Sequence, residues 1–253
     1  MKTAHHPFNN DLLIEFDPQS HTYIDNYDVR YTSVTTFIGA FSHPFNAKQQ
    51  AWDCSKKKTG EYYGMVPDDI MEMWEKKGDQ ARLEGSVLHE YVEWLVSGKT
   101  QGSNIKSVSE RCDKLFIQGE IAVKKLLEKY KFVSAEMIVF SSGIQIAGMI
   151  DLLMYDPATN EILVLDWKQN EIISRDSMFD TMFQPVNHLP DDDWSHYSLQ
   201  LSLYQYIMDI NDYFPGLKFR RAIIHIMEDG FRVMKVPYLG WEIQRMFIEG
   251  VKK

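Results

Sequence analysis

The chain has 253 residues, 44% hydrophobic and 25% charged, with a formal net charge of -9. This is an ordinary globular composition. The acidic balance excludes a histone-like or polybasic membrane-binding protein and argues against strong non-specific duplex binding as the whole function, although a local basic stripe or a bound divalent cation still attracts phosphate. Cys54 and Cys112, the only two cysteines, are too few for a disulfide framework, a zinc module or an iron–sulfur cluster, and are expected to be reduced thiols.

The first ten residues carry no apolar run of the signal-peptide kind. No segment reaches ~18 consecutive apolar residues, so the expectation is a soluble, cytoplasmic protein without a membrane partner. Leu12 to Phe16, His21 to Ile24 and Val29 to Thr32 then alternate like strands, separated by Asp17-Pro18 and Asp25-Asn26 turns. Ser33 to Thr36 opens a short helix with a hydroxyl N-cap. Residues 44–78 are polar and read as helical pieces joined by loops. Asp79 to Val96, ending at Ser97-Gly98, and Ser107 to Tyr130 are long helices.

Beyond residue 130 the period changes. Phe132 to Phe140, Ile144 to Tyr155 and Glu161 to Trp167 are strand candidates, apolar enough to be buried on both faces. The second and third are joined by the turn Asp156-Pro157-Ala158-Thr159-Asn160 and so form a hairpin. A helix follows at His196 to Asn211, a second hairpin at Phe219 to Met227 and Phe231 to Pro237, and a closing helix at Trp241 to Val251. The order predicts an α/β fold with a mixed central sheet flanked by helices. An N-terminal β-hairpin and helical elaboration, residues 1–78, would pack on a core at 79–253.

Two carboxylates stand inside this apolar sheet. Asp151 follows Ala147-Gly148-Met149-Ile150, and Asp166 lies in Leu163-Val164-Leu165-Asp166-Trp167-Lys168. A carboxylate in such a run is expensive unless something neutralises it. Across the hairpin, positions 151 and 166 come close to facing one another. A cation between them would relieve their repulsion, and Mg²⁺ or Mn²⁺ suits carboxylate, carbonyl and water ligands. Lys168 projects from the same strand face as Asp166 and can hold a water beside such an ion. Together these groups describe phosphodiester hydrolysis, but they equally fit an Asp–Lys ion pair at a sheet edge.

Other residues bear on that choice. Gly85, His89 and Glu93 share one helical stripe, with Gly85 leaving room above the imidazole and Glu93 available for its second N–H. Gln200 and Tyr204 lie one turn apart and suit either a phosphate or a helix–sheet contact. Lys56-Lys57-Lys58 with Tyr62-Tyr63 is the best local cluster of charges and rings, fitting a single-strand groove or a solvated helix end. Asp191-Asp192-Asp193 fits a capping loop better than a cation site.

In this order the segments resemble the PD-(D/E)XK nuclease superfamily, specifically its RecB-like branch. The matching motifs are Gly85 to His89, Glu136, Gly148 to Asp151, Asp166-Trp167-Lys168 and Gln200 to Tyr204, within roughly residues 80–210. Tyr31 to Thr36 looks like the segment that opens phage-encoded nucleases of this branch and the related mitochondrial genome-maintenance exonuclease. The resemblance implies a restriction-endonuclease-like core. It also implies Mg²⁺ or Mn²⁺ held by His89, Asp151, Asp166 and the Trp167 carbonyl, with Lys168 positioning the attacking water. Glu136 matches a family carboxylate of variable role, and Gln200 and Tyr204 would support the site or the substrate strand.

The cysteines that hold an iron–sulfur cluster in some relatives are missing. No helicase phosphate-binding loop is present either, so a motor would come from a replication or recombination partner. The implied activity is DNA hydrolysis, with an exonuclease on single-stranded ends favoured; if the chain is phage-encoded, it would act in the host cytoplasm. A structure-specific endonuclease and a catalytically weak DNA-binding subunit are the alternatives, and polarity and DNA-against-RNA preference stay open.

Overall fold

A computed structural model describes residues 2–98, 104–175 and 180–252. Four short strands open the chain: β1 (Lys2–His6), β2 (Asn9–Asp17), β3 (Thr22–Asp25) and β4 (Arg30–Ser33). They pair antiparallel in sequence order. Leu12, Ile14 and Phe16 alternate inward along β2 and join Tyr23, Tyr31 and Phe140 in one apolar cluster. β1 escaped the sequence pattern because its residues, Lys-Thr-Ala-His-His, carry no apolar alternation. Ser33 caps α1 (Val34–Gly39) by accepting the Thr36 N–H, as its hydroxyl predicts.

Three helices follow: α2 (Ala47–Ser55), α3 (Pro67–Val96) and α4 (Glu110–Lys129). α3 begins at Pro67, not Asp79. Its early turns are polar and bury only Ile70 before Glu84, so periodicity did not report them, although Pro67 followed by Asp68 and Asp69 is a helix start. The expected boundary after residue 78 therefore falls inside one continuous helix. The N-terminal strands also continue the main sheet, because β4 pairs parallel with a core strand.

That core consists of β5 (Lys131–Ser141), β6 (Ile146–Asp156), β7 (Glu161–Lys168), α5 (Asp193–Ile210), β8 (Lys218–Met227), β9 (Gly230–Val236) and α6 (Gly240–Glu249). Among the described residues the mixed sheet has nine strands and runs β1-β2-β3-β4-β6-β7-β8-β9, with β5 on the remaining edge of β6. β7 and β8 are parallel, joined through α5. Helices cover both faces. One core gathers α1, α5 and α6 around Ile150, Val164 and Ile223. The other gathers α3 and α4 around Leu152, Leu165 and Trp167. No helix among the described residues is long and apolar enough to cross a membrane.

One irregularity positions everything that follows. β5 occupies one edge of β6 along its length, so β4 and β7 must share the other. β4 pairs only at Ile146 and Ala147, and β7 only from Leu152 onward. Between them the sheet forks and Gly148 to Asp151 have no strand partner on that edge. Opposite, Glu136 adopts φ 47, unusual for a non-glycine residue, and the Glu136–Asp151 rung is absent from the ladder. Side-chain alternation reverses there. Ile150 and Leu153, three positions apart, pack in the same core, while Leu152 and Met154 pack in the other.

Candidate functional site

The fork opens into a cleft of about 1510 Å³, walled by the N-terminal strands on one side and α3 on the other. Asp151 stands at its base. With no β6 partner on that side, the Trp167 amide donates to Asp151 Oδ2 at 3.0 Å. From α3, His89 places Nε2 3.1 Å from the Trp167 carbonyl and Nδ1 3.5 Å from Asp151 Oδ2. The imidazole thus faces two oxygen acceptors. Glu93, expected to take its second N–H, is not its partner.

Asp166 and Lys168 lie on the α5 side of β7. The Lys168 ammonium is 2.6 Å from Asp166 Oδ2, with 17% and 3% of the two side chains exposed. Burial pushes the Asp166 carboxyl up to about 6; Lys168 opposes this and the nearby Asp151 charge adds to it. Burial also works against the Lys168 ammonium, but the Asp166 and Asp151 carboxylates outweigh it and hold its pKa above the usual lysine value. Despite the ion pair, Asp166 Oδ2 is a buried oxygen with no aligned hydrogen bond.

α5 supplies a stripe to this pair. Gln200 donates to the Tyr204 hydroxyl at 3.1 Å and, at the long distance of 3.5 Å, to Asp166 Oδ1. One turn earlier, Tyr197 lies under Lys168, its ring centroid 4.5 Å from the ammonium. Asn170 donates to the Tyr197 hydroxyl at 2.9 Å, and buried His225 Nε2 sits 2.6 Å from the Asn170 carbonyl. Tyr197 was missed in the sequence reading, although its spacing to Gln200 and Tyr204 was a usable signal.

The two glycines have tertiary reasons. A Cβ at Gly148 would meet Tyr204 Cε1 at 2.5 Å, so only glycine lets that ring reach the fork. A Cβ at Gly85 would meet Gln169 Nε2 at 3.1 Å. Gly85 therefore makes room for Gln169, not for the imidazole as expected. Gln169 Nε2 donates to the Ala81 carbonyl, while Arg111 donates to the Gln169 side-chain and backbone oxygens, both at 2.5 Å. Arg111 also donates to buried Glu84, which accepts from Gln80 and Ser109 as well. Burial alone would raise the Glu84 carboxyl, but these donors hold it below the usual range. This clamp ties α3 and α4 to the residue after Lys168, and nothing in the sequence pattern announced it.

Glu136 lines the cleft but pairs with Lys2 of β1, not with Lys168. Lys56, Lys57 and Lys58 are exposed at and beyond the end of α2, away from the cleft lining, with Tyr62 packed on Trp74 of α3 and Tyr63 exposed. The aspartates of 191–193 serve the α5 entry. Asp192 is the N-cap, Asp193 accepts the Ser174 N–H, and Asp191 accepts the His43 N–H and contacts His196. Ser42 Oγ and Asp191 both meet the same His196 nitrogen, so these three residues form a loop tie, not a proton relay.

Among the described residues, no three His, Cys, Asp or Glu groups converge closely enough to hold a metal. The donor chemistry nevertheless suits a hard divalent cation: two carboxylates, a peptide carbonyl and an imidazole. The unaligned Asp166 Oδ2 is the observation that favours that fit. No family model matches the chain, and no curated protein matches it.

Proposed function

We propose that this protein is a divalent-metal-dependent nuclease of the PD-(D/E)XK superfamily, RecB-like branch, with a restriction-endonuclease-like core. Its substrate would be DNA with a free single-stranded end. The observation that carries this reading is the meeting, at one fork of the sheet, of Asp151, Asp166, Lys168 and His89 from three separate elements. A plain ion pair at a sheet edge would need neither the imidazole nor the freed Trp167 amide. The five motifs in family order support the same reading.

Mg²⁺ or Mn²⁺, held by Asp151, Asp166, the Trp167 carbonyl and His89, would lower the pKa of a bound water and stabilise charge on the phosphoryl group. Lys168 would hold the attacking water through its ammonium, whose position is set by the Tyr197 ring and Asp166. Gln200 and Tyr204 brace Asp166 from α5. His89 and Lys168 lie beside the carboxylate and carbonyl oxygens that a cation would take.

The test is incubation with end-labelled linear single-stranded DNA and closed circular DNA, with Mg²⁺ or Mn²⁺ and with chelator. Metal-dependent loss of linear strands with circles intact is expected. Cut circles would replace the exonuclease with an endonuclease. No cleavage of any DNA or RNA with either metal would overturn the enzyme and leave a DNA-binding subunit.

A further inference from the structure

The surface outside the cleft mouth, formed by α2, the 56–66 loop and the middle of α3, is left over from this site. Residues 44–66 hold four lysines, at 48, 56, 57 and 58, against Asp53 and Glu61, in a protein of net charge -9. Both acids are occupied. Glu61 binds Lys77 at 2.5 Å, and Asp53 accepts from Gln49 at 3.1 Å. Among the described residues, Lys56, Lys57 and Lys58 have no carboxylate partner; Lys56 lies 4.4 Å over the Trp52 ring.

Cations at the C-terminal end of α2 would answer its dipole without further purpose. The rings beside them have no such explanation. Phe45, Trp52 and Tyr63 are 73%, 51% and 67% exposed. Exposed rings interleaved with ammonium groups that lack a carboxylate partner match the chemistry of a single-stranded nucleic acid, whose bases stack while its phosphates take the charge. A protein partner would bury the rings but gain little from unneutralised lysines.

Two contacts connect the patch to the element that walls the cleft. Tyr62 meets Trp74 edge-on and accepts its indole N–H at 3.1 Å, while Glu61 holds Lys77, which lines the cleft with Lys76. We infer that this surface is the approach track for a single strand, with Trp52 and Tyr63 stacking on bases and Lys56, Lys57 and Lys58 contacting phosphates before the strand enters at Lys76 and Lys77. This inference takes its ligand from the nuclease reading. It adds that the protein grips nucleotides well outside the reacting phosphate, so affinity grows with strand length.

The test is equilibrium binding in chelator, where no cleavage occurs, followed by fluorescence anisotropy. The probes are oligothymidine and oligouridine of about 6 and about 25 nucleotides, with a duplex and heparin as controls. The longer single strands are expected to bind at least tenfold more tightly than the short ones. Trp52→Ala and Tyr63→Ala should each weaken them about tenfold. The Lys56→Ala/Lys57→Ala/Lys58→Ala variant should lower the salt slope by about 2. The rings are exposed, so unchanged melting curves will show that the variants fold.

Unaltered affinity in both ring variants overturns the track, as does heparin or duplex bound as tightly through the same residues. Failure of wild-type protein to bind any strand also overturns it. A comparison of the oligothymidine and oligouridine arms identifies which strand the track prefers. Normal binding with no cleavage in metal would instead sink the nuclease reading and leave the track standing.

Discussion

At the base of the cleft the side chains of Asp166 and Lys168 are 3% and 17% exposed; at its mouth those of Lys76 and Lys77 are 74% and 60% exposed. Both places hold ion pairs of similar length, 2.6 Å within and 2.5 Å without. Their surroundings make them different objects. The inner pair is desolvated, shifts its own protonation and is braced by Tyr197, Gln200 and the Arg111 clamp. The outer pairs are screened by water and hold little net energy, so phosphates on the proposed track would exchange with Glu61 and Glu72 cheaply. Rigid charge suits a reacting centre and replaceable charge suits a gripping surface.

The largest test of that contrast is Lys168→Ala. Cleavage should fall on the order of a thousandfold while Mn²⁺ binding by calorimetry persists. Undiminished turnover would remove the lysine from the chemistry. Next, Arg111→Ala leaves buried Glu84 without its cation and should cost about 3 kcal/mol in urea denaturation, whereas Lys77→Ala should stay within about 0.5 kcal/mol. Equal effects would erase the distinction between base and mouth.

Gly148→Ala comes third. A methyl group pressed against Tyr204 should destabilise the fold by about 2 kcal/mol and reduce kcat more than KM, because Tyr204 braces Asp166 through Gln200. A change in KM alone would break that chain of contacts.

The smallest effect is a pH dependence. The Asp166 carboxyl is raised to about 6, so its contribution to folding is complete below the unfolded value near 3.8 and is lost as pH rises through about 6. A metal ligand must be ionised. Mn²⁺ affinity should therefore fall about tenfold between pH 7.5 and pH 5, and the Mn²⁺-induced rise in Tm should shrink in step. Affinity flat across that interval would show that Asp166 is not a ligand.

The charged groups at the base were more legible than the contacts that support them. Asp151 and Asp166 stood out because charge within an apolar strand is improbable without a partner, and the turn from Asp156 to Asn160 set the hairpin register, although the ladder stops at Leu152–Leu165, one rung short of them. The Ser33 cap and the β6–β7 hairpin were local events with local signals. Gly85 was seen as a gap, but a sequence does not say which chain fills a gap, and Gln169 fills it. Arg111, Glu84 and His225 act only through tertiary contact and carried no pattern. The first turns of α3 and the whole of β1 are too polar to show periodicity.

The fork where β4 and β7 part along β6 has a bearing on engineering. A search for greater heat resistance would favour changes that extend the pairing of β4 or β7 until the open edge from Gly148 to Asp151 is covered, since every added rung pairs backbone that has no strand partner there. Such a variant would recapture the Trp167 amide for the β6–β7 ladder and take from Asp151 the backbone donor it now has. If the proposed site is the working one, hardening the sheet at this point and silencing the protein would be the same act, so stabilising substitutions belong on the β8–β9 side of the molecule.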